Sequence, residues 1–275
     1  MFLISANHFY RGQRFGNVRM NNRRREQNNM QYPVEINGIT VNAVYSEENI
    51  EEIFLPLLLK MKDLRERLGR RILVFLAAPP GAGKSTLASF LKFLSENTEG
   101  LTPVTMIGMD GFHRYQDYVL SHTIVRDGRE YKMVEVKGTP ETFDLDLLCA
   151  RLMRVAAGEE CGWPEYNRMT HNPVEDAVKV SGEIVLLEGN YLLLDRPGWS
   201  ELKQLADLTI CVRAEEEMLR ERLISRRMKT GTSGEKAAAF VDFSDMHNVR
   251  ICLSESADAD VVLEVQKDGT YRMKG

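Results

Sequence analysis

Lys84 and Ser85 stand behind two glycines in the run Ala78-Pro79-Pro80-Gly81-Ala82-Gly83-Lys84-Ser85-Thr86. That spacing suits the capture of phosphate. Gly81 and Gly83 let backbone N–H groups close around an anion with no Cβ in the way. A lysine at position 84 reaches the outer phosphates of a nucleoside triphosphate, and the Ser85 hydroxyl offers an oxygen to Mg²⁺. Pro80, Gly81, Ala82, Gly83, Lys84, Ser85 and Thr86 are therefore the candidate ATP-binding residues. Ala78 replaces the glycine with which such loops usually begin, a tolerated variation.

Two further carboxylates could complete this chemistry. Asp110 follows the apolar run Val104–Met109 and opens the string Asp110-Gly111-Phe112-His113. An acid at a strand end beside the γ-phosphate can take the proton of an attacking hydroxyl. Glu188 follows Ile184-Val185-Leu186-Leu187 and can hold Mg²⁺ directly or through water. Ser85, Asp110 and Glu188 would then form the protein's part of one Mg²⁺ shell. His113 is a candidate contact for the substrate, although a lone histidine is as often a packing residue. Arg222, Arg226 and Arg227 lie on a charged segment followed by Gly231 and Gly234. Arginines on a Gly-flanked mobile segment can clamp a transferring phosphoryl group; on a solvated face they would instead pair with Glu216, Glu217 and Glu221.

These side chains need a frame. Ile72–Ala77 reads as a buried strand directly before the phosphate loop, and Thr86–Leu94 as a helix directly after it. The helix then points its positive end at the bound anion. Val104–Met109, Ile184–Glu188, Leu208–Val212 and Val261–Val265 are further strands, and Asp144–Ala157 and Glu215–Met228 are helices. Strands alternating with helices predict an α/β fold, a three-layer sandwich whose mostly parallel sheet carries helices on both faces. Val34–Val44 with Asn37-Gly38 predicts a hairpin. Ser46 caps a helix running towards Gly69, with Pro56 marking a kink or restart. Asp127-Gly128 predicts a second small hairpin. Residues 70–275 are expected to form the main domain, with a small helical lid around 215–250, and 30–69 an N-terminal hairpin and helix.

Composition narrows the function classes. A net charge of -4 gives no global reason to expect nucleic acid as a partner. No apolar run approaches the roughly 20 residues of a membrane span. The four cysteines form no C-x-x-C pair and read as reduced core thiols, so a cytoplasmic protein is expected. A homodimer is left open. Residues 1–29 differ in character, with six arginines among asparagines. They could be a basic arm or a disordered tail. The favoured reading is a mis-assigned leader: Arg24-Arg25-Glu26 can be encoded by a purine-rich ribosome-binding string just before Met30, the natural start.

In combination, the phosphate loop, Asp110-Gly111-Phe112-His113, Pro164-Glu165-Tyr166-Asn167-Arg168 and Glu188-Gly189 resemble the uridine kinase, phosphoribulokinase and pantothenate kinase group. The similarity spans roughly residues 70–265 and is nearest to the bacterial nucleoside/nucleotide kinase or fructose-transport-system-kinase branch, which shares Gly138-Thr139-Pro140-Glu141-Thr142-Phe143-Asp144. The resemblance implies that Asp110 is the base, that Tyr166 and Arg168 help hold the acceptor, and that the lid carries Arg222 and Arg226. Uridine kinases usually have Asp-Ser-Phe-Tyr where this chain has Asp-Gly-Phe-His, so uridine itself is not the expected acceptor. The expected function is transfer of the γ-phosphoryl group of MgATP to a small-molecule hydroxyl on a sugar, nucleoside or pantothenate-like alcohol. The alternative is a nucleotide-hydrolysing switch or assembly ATPase acting on a protein. It would call for an Asn-Lys-x-Asp motif or paired acids at a strand end; this chain has neither, and Glu188 precedes Gly189.

Overall fold

The computed structural model describes residues 29–36 and 39–274. The expected leader, apart from Asn29, and the Asn37-Gly38 turn lie outside the described residues. Strand β1 (Asn29–Ile36) pairs antiparallel with β2 (Ile39–Ser46), from Asn29 opposite Ser46 to Ile36 opposite Ile39. The hairpin is thus longer than the expected span of residues 34–44. The Ser46 hydroxyl accepts the Asn49 N–H at 3.1 Å, capping the helix as expected. A π-helical turn, Ile50–Phe54, then leads into α1 (Leu55–Leu68). Pro56 falls in the first turn of α1, where its missing N–H removes no intrahelical bond, and the widened turn before it accommodates the ring.

The chain continues through β3 (Ile72–Ala77), α2 (Lys84–Asn97), β4 (Val104–Gly108), α3 (Gln116–Ser121), β5 (Thr123–Arg126), β6 (Arg129–Lys132) and α4 (Leu145–Ala156). It then forms β7 (Cys161–Asn167), β8 (Asn172–Val180), β9 (Ile184–Gly189), β10 (Leu208–Arg213), α5 (Glu216–Lys229), α6 (Gly234–Phe240), α7 (Met246–Ser254), β11 (Val261–Val265) and β12 (Tyr271–Lys274). The six-stranded sheet has the order β12-β11-β10-β3-β9-β4, parallel except for β12. β3 lies inside it and is buried along its whole length. Its period of two sends Ile72, Val74 and Leu76 to one face and Leu73, Phe75 and Ala77 to the other.

Each face has its own core. One gathers Leu57, Leu58 and Met61 of α1, Leu87, Phe90 and Leu91 of α2, and Leu219 and Leu223 of α5. The other gathers Leu148, Leu152 and Val155 of α4 with Trp163, Trp199 and Leu202. Helix, sheet and helix make the expected three layers. The N-terminal hairpin and α1 share the first core: Tyr45 stacks on Phe90 with centroids 3.9 Å apart, and Asn49 exchanges hydrogen bonds of 2.9 and 2.7 Å with the backbone of Tyr271.

One departure matters for the site. Pro164 to Arg168, expected near an acceptor, lies on and just beyond β7, which pairs with β8 in a hairpin that hydrophobic patterning did not indicate. Pro164 sits at a register shift between Trp163 and Glu165, where a residue without an N–H is tolerated. The 127–128 turn, by contrast, forms as expected, with positive φ at both Asp127 (52°) and Gly128 (73°). All four cysteines are free thiols. Among the described residues no helix is long and apolar enough to cross a membrane.

Candidate active site

The phosphate loop joins the carboxyl end of β3 to the first turn of α2, at the inside of the sheet where parallel strands leave a crevice. Gly81 and Gly83 take φ of 83° and 88°, and the Ala82 N–H donates to the Pro79 carbonyl at 3.2 Å. Gly81 has a second role. A Cβ there would stand 3.1 Å from Leu223 Cγ and 3.2 Å from the Leu219 carbonyl, so α5 packs directly against the loop.

Glu188, at the end of the neighbouring β9, closes this half of the site. Ser85 Oγ donates to Glu188 Oε1 at 2.8 Å, and Lys84 Nζ lies 4.0 Å from Oε2. Glu188 is 7% exposed and its Oε2 has no hydrogen-bond partner among the described residues. Burial pushes its pKa up; Lys84 and the Ser85 hydrogen bond oppose this, and the charge of Asp110 adds to it. An orphaned, buried carboxylate oxygen beside a serine hydroxyl fits a hard cation that takes oxygen ligands. Among the described residues no group of three or more His, Cys, Asp or Glu side chains could hold a metal alone. Mg²⁺ does not require one, since nucleotide phosphates and water supply the rest of its octahedron.

Asp110 lies not on β4 itself but on the 3-10 turn Met109–Phe112 that follows it. Burial would raise its pKa, but the charges of His113, Lys84, Arg168 and Arg226 outweigh that and hold it below the usual carboxylate range. The turn is strapped down by β7. Trp163 Nε1 donates to the Gly108 carbonyl at 2.8 Å, and Trp163 meets Phe112 edge to face at 4.8 Å. A Cβ on Gly111 would overlap the Pro164 carbonyl and press on Glu165 N at 3.0 Å. Only glycine fits beneath that strand, which gives a physical reason for Asp-Gly-Phe rather than Asp-Ser-Phe in this chain.

His113 sits between Phe143, 4.0 Å between centroids, and Tyr166, 4.9 Å. Its Nδ1 lies 2.9 Å from the Asp110 carbonyl. A carbonyl only accepts, so Nδ1 carries a proton. Burial lowers the pKa of the ring, against the pull of Asp110.

Tyr166 stands beside this pair, its pKa raised by burial. Lys137, which the sequence did not single out, lies over the Tyr166 ring with Nζ 4.9 Å from the centroid. Arg168 follows β7, exposed, and its charge is felt at Asp110, His113, Tyr166 and Arg226. The Gly138–Asp144 string builds the floor. Thr142 Oγ1 donates to the Thr139 carbonyl at 2.8 Å and accepts the Gly138 N–H at 3.0 Å, while Tyr191 OH donates to the Gly138 carbonyl at 2.6 Å. Asp144 N–H donates to the Phe112 carbonyl at 2.8 Å, tying that floor to the Asp110 turn.

The arginines of α5 separate. Arg226 is exposed; desolvation lowers its pKa, and the charges of Asp245, Arg168, Arg227 and Asp110 act on it. The charge of half-buried Arg222 is felt at Tyr271, on the edge strand. Arg227 is held by Asp245 at 3.0 Å and lies 3.6 Å from the Phe240 ring centroid. Asp242 pairs with Arg220 at 2.6 and 2.9 Å. Asn248, 3% exposed, packs against Gly138. The first half of α5 is anchored by Met218, Leu219 and Leu223, so any closing motion belongs to the segment beyond it.

The description of the Phosphoribulokinase / Uridine kinase family matches residues 73–270. The uncharacterized protein YggC of Escherichia coli (strain K12) is 39% identical over 243 residues, covering 88% of this chain and 98% of that protein. A Schizosaccharomyces pombe protein provisionally named uridine kinase C227.14 is 33% identical over 201 residues, covering 71% and 83%. A crystal structure from Silicibacter sp. TM1040, provisionally assigned as a fructose transport system kinase, superposes with a TM-score of 0.63 at 30% identity, covering 70% of this chain and 89% of that one.

Proposed function

The chain belongs to the phosphoribulokinase / uridine kinase family of P-loop kinases, and from that premise we propose that it transfers the γ-phosphoryl group of MgATP to the hydroxyl of a small molecule. A phosphotransferase acting on alcohol acceptors is what the family and the named relatives have in common. The acceptor is a sugar, a nucleoside or a pantothenate-like alcohol, and the reaction takes place in the cytoplasm.

Residues 80–86 hold the triphosphate, with Lys84 against its outer phosphates. Ser85, Asp110 and Glu188 hold Mg²⁺, which neutralises charge on the phosphate oxygens when bound. Asp110 accepts the acceptor's proton, and the cations around it keep it ionised for that purpose. His113, Tyr166 and Arg168 position the acceptor. Arg226 stabilises charge on the transferring group from the α5 side. Catalysis is mostly positioning, since phosphoryl transfer needs little covalent help from the protein.

The observation that carries this reading is strand register: Leu76 of β3 and Gly108 of β4 both stand opposite Glu188 of β9, so the phosphate loop, the Asp110 turn and Glu188 leave the sheet at the same end. The test is ADP release with MgATP against a panel of sugars, nucleosides and pantothenate. Turnover well above background with one acceptor, abolished in Asp110→Asn, supports it. Stimulation by a protein fraction alone would favour a switch ATPase.

A further inference from the structure

The two halves of the cleft differ in charge balance. Lys84 has Glu188 4.0 Å away. Lys137 has no carboxylate partner among the described residues. Its Nζ donates to two neutral oxygens, Gln116 Oε1 at 3.1 Å and the His171 carbonyl at 3.3 Å, and rests on the Tyr166 ring. Arg168 likewise forms no ion pair or side-chain hydrogen bond among the described residues. Three other arginines of this region are compensated: Arg114 by Asp144 at 3.1 Å, Arg151 by Glu175 and Asp176, Arg227 by Asp245.

A half-buried ammonium held only by neutral groups is costly, because burial penalises its charge and nothing nearby repays it. For Lys137 burial does lower the pKa. Lys137 and Arg168 flank one ring: Lys137 Nζ rests over Tyr166, Arg168 follows it two residues later, and Tyr166 lies 4.9 Å from His113, the ring beside the candidate base.

We propose that the acceptor is itself an anion, a phosphorylated sugar or a hydroxy acid, whose phosphate or carboxylate is held between Lys137 and Arg168 while its hydroxyl meets Asp110. This rests on the kinase reading and deepens it, because it excludes neutral sugars and nucleosides as preferred acceptors. Lys137 and Arg168 are binding residues here. They take hold of a group remote from the reacting hydroxyl, so they act mainly on KM.

The test uses the full chain with MgATP and matched acceptors differing in charge: fructose with fructose 6-phosphate, ribose with ribose 5-phosphate, and pantothenol with pantothenate. The expected result is ADP release stimulated by the charged member of a pair only. Lys137→Gln should then raise its KM on the order of 10-fold with kcat within about twofold, and Lys137→Arg should restore it. Arg168→Gln provides the second variant. Equal or better turnover of a neutral member overturns the anion proposal and leaves the kinase reading standing. So does an equal KM increase for charged and neutral acceptors in Lys137→Gln. If no acceptor is turned over, equilibrium binding of the same compounds to the MgADP-bound protein decides. Binding of charged members that Lys137→Gln weakens supports the proposal although the kinase reading has failed; absence of such binding overturns it.

Discussion

The nucleotide half of the cleft is built from adjoining chain, with Lys84 facing Glu188; the acceptor half is assembled from distant segments and carries two cations, Lys137 and Arg168, that form no ion pair among the described residues. In the first, a strand, a loop and a helix follow one another from Ile72 to Asn97, and only Glu188 comes from elsewhere, satisfying Ser85 and facing Lys84. In the second, Asp110 and His113, Lys137 with the 138–144 string, and Tyr166 with Arg168 arrive from three stretches of sequence. The contrast teaches where specificity can vary. A phosphate is the same for every kinase of this kind, so its cradle can be a fixed local motif. An acceptor differs from one kinase to the next, and its pocket can be changed by altering segments that do not touch the cradle.

This contrast can be broken at several points. The largest effect is expected at the joint between the halves: Asp110→Asn should lower kcat about 10³-fold with ATP affinity little changed, read by steady-state ADP release and nucleotide titration. A variant with near-normal kcat would remove Asp110 as base. Within the nucleotide half, Glu188→Gln should cost about 10²-fold and shift the Mg²⁺ dependence of the rate to higher concentration, because a neutral amide is a poor ligand for a hard cation.

Along α5 the two arginines should behave differently. Arg226→Gln is expected to lower kcat by roughly 10-fold or more, while Arg222→Gln stays within about twofold, since only Arg226 shares charge with Asp110. Equal losses would mean that the segment rearranges on binding. At the strap over the base, Gly111→Ala should destabilise the fold by about 1–3 kcal/mol, seen as a lower denaturation midpoint, because its Cβ collides with the Pro164 carbonyl.

The smallest effect lies outside both halves. Asp260 Oδ2 accepts from the Thr209 N–H at 2.8 Å and from its hydroxyl at 2.7 Å. Burial would raise its pKa, but these bonds lower it overall. A carboxylate depressed in the folded state adds stability above its unfolded pKa of about 3.9, and that stability is lost as pH falls through the folded value. Asp260→Asn should therefore flatten the acid limb of Tm against pH slightly and leave turnover near neutrality unaltered.

The local frame was legible before any coordinates. Patterning located the five parallel strands of the sheet, though not the edge strand β12, and residue types marked the Ser46 cap and the Asp127-Gly128 turn, because each depends on a few adjacent residues. The β7–β8 hairpin was not legible, since its burial alternates poorly and a proline interrupts it. Asp110 and Glu188 could be named from strand-end position; their separation into an ionised base and a carboxylate with raised pKa could not. That division depends on which cations lie within reach and on how deeply each acid is buried.

By itself the amino-acid sequence determined the phosphate loop, the parallel α/β frame and the residue types of the catalytic half, because strand, loop and helix are contiguous and their chemistry is carried by neighbours. Only the tertiary structure decided that Lys137 comes to rest over Tyr166 and that position 111 must be glycine. Each of those depends on close approach between segments far apart in the chain, and packing distance and charge compensation exist only once the layers have closed.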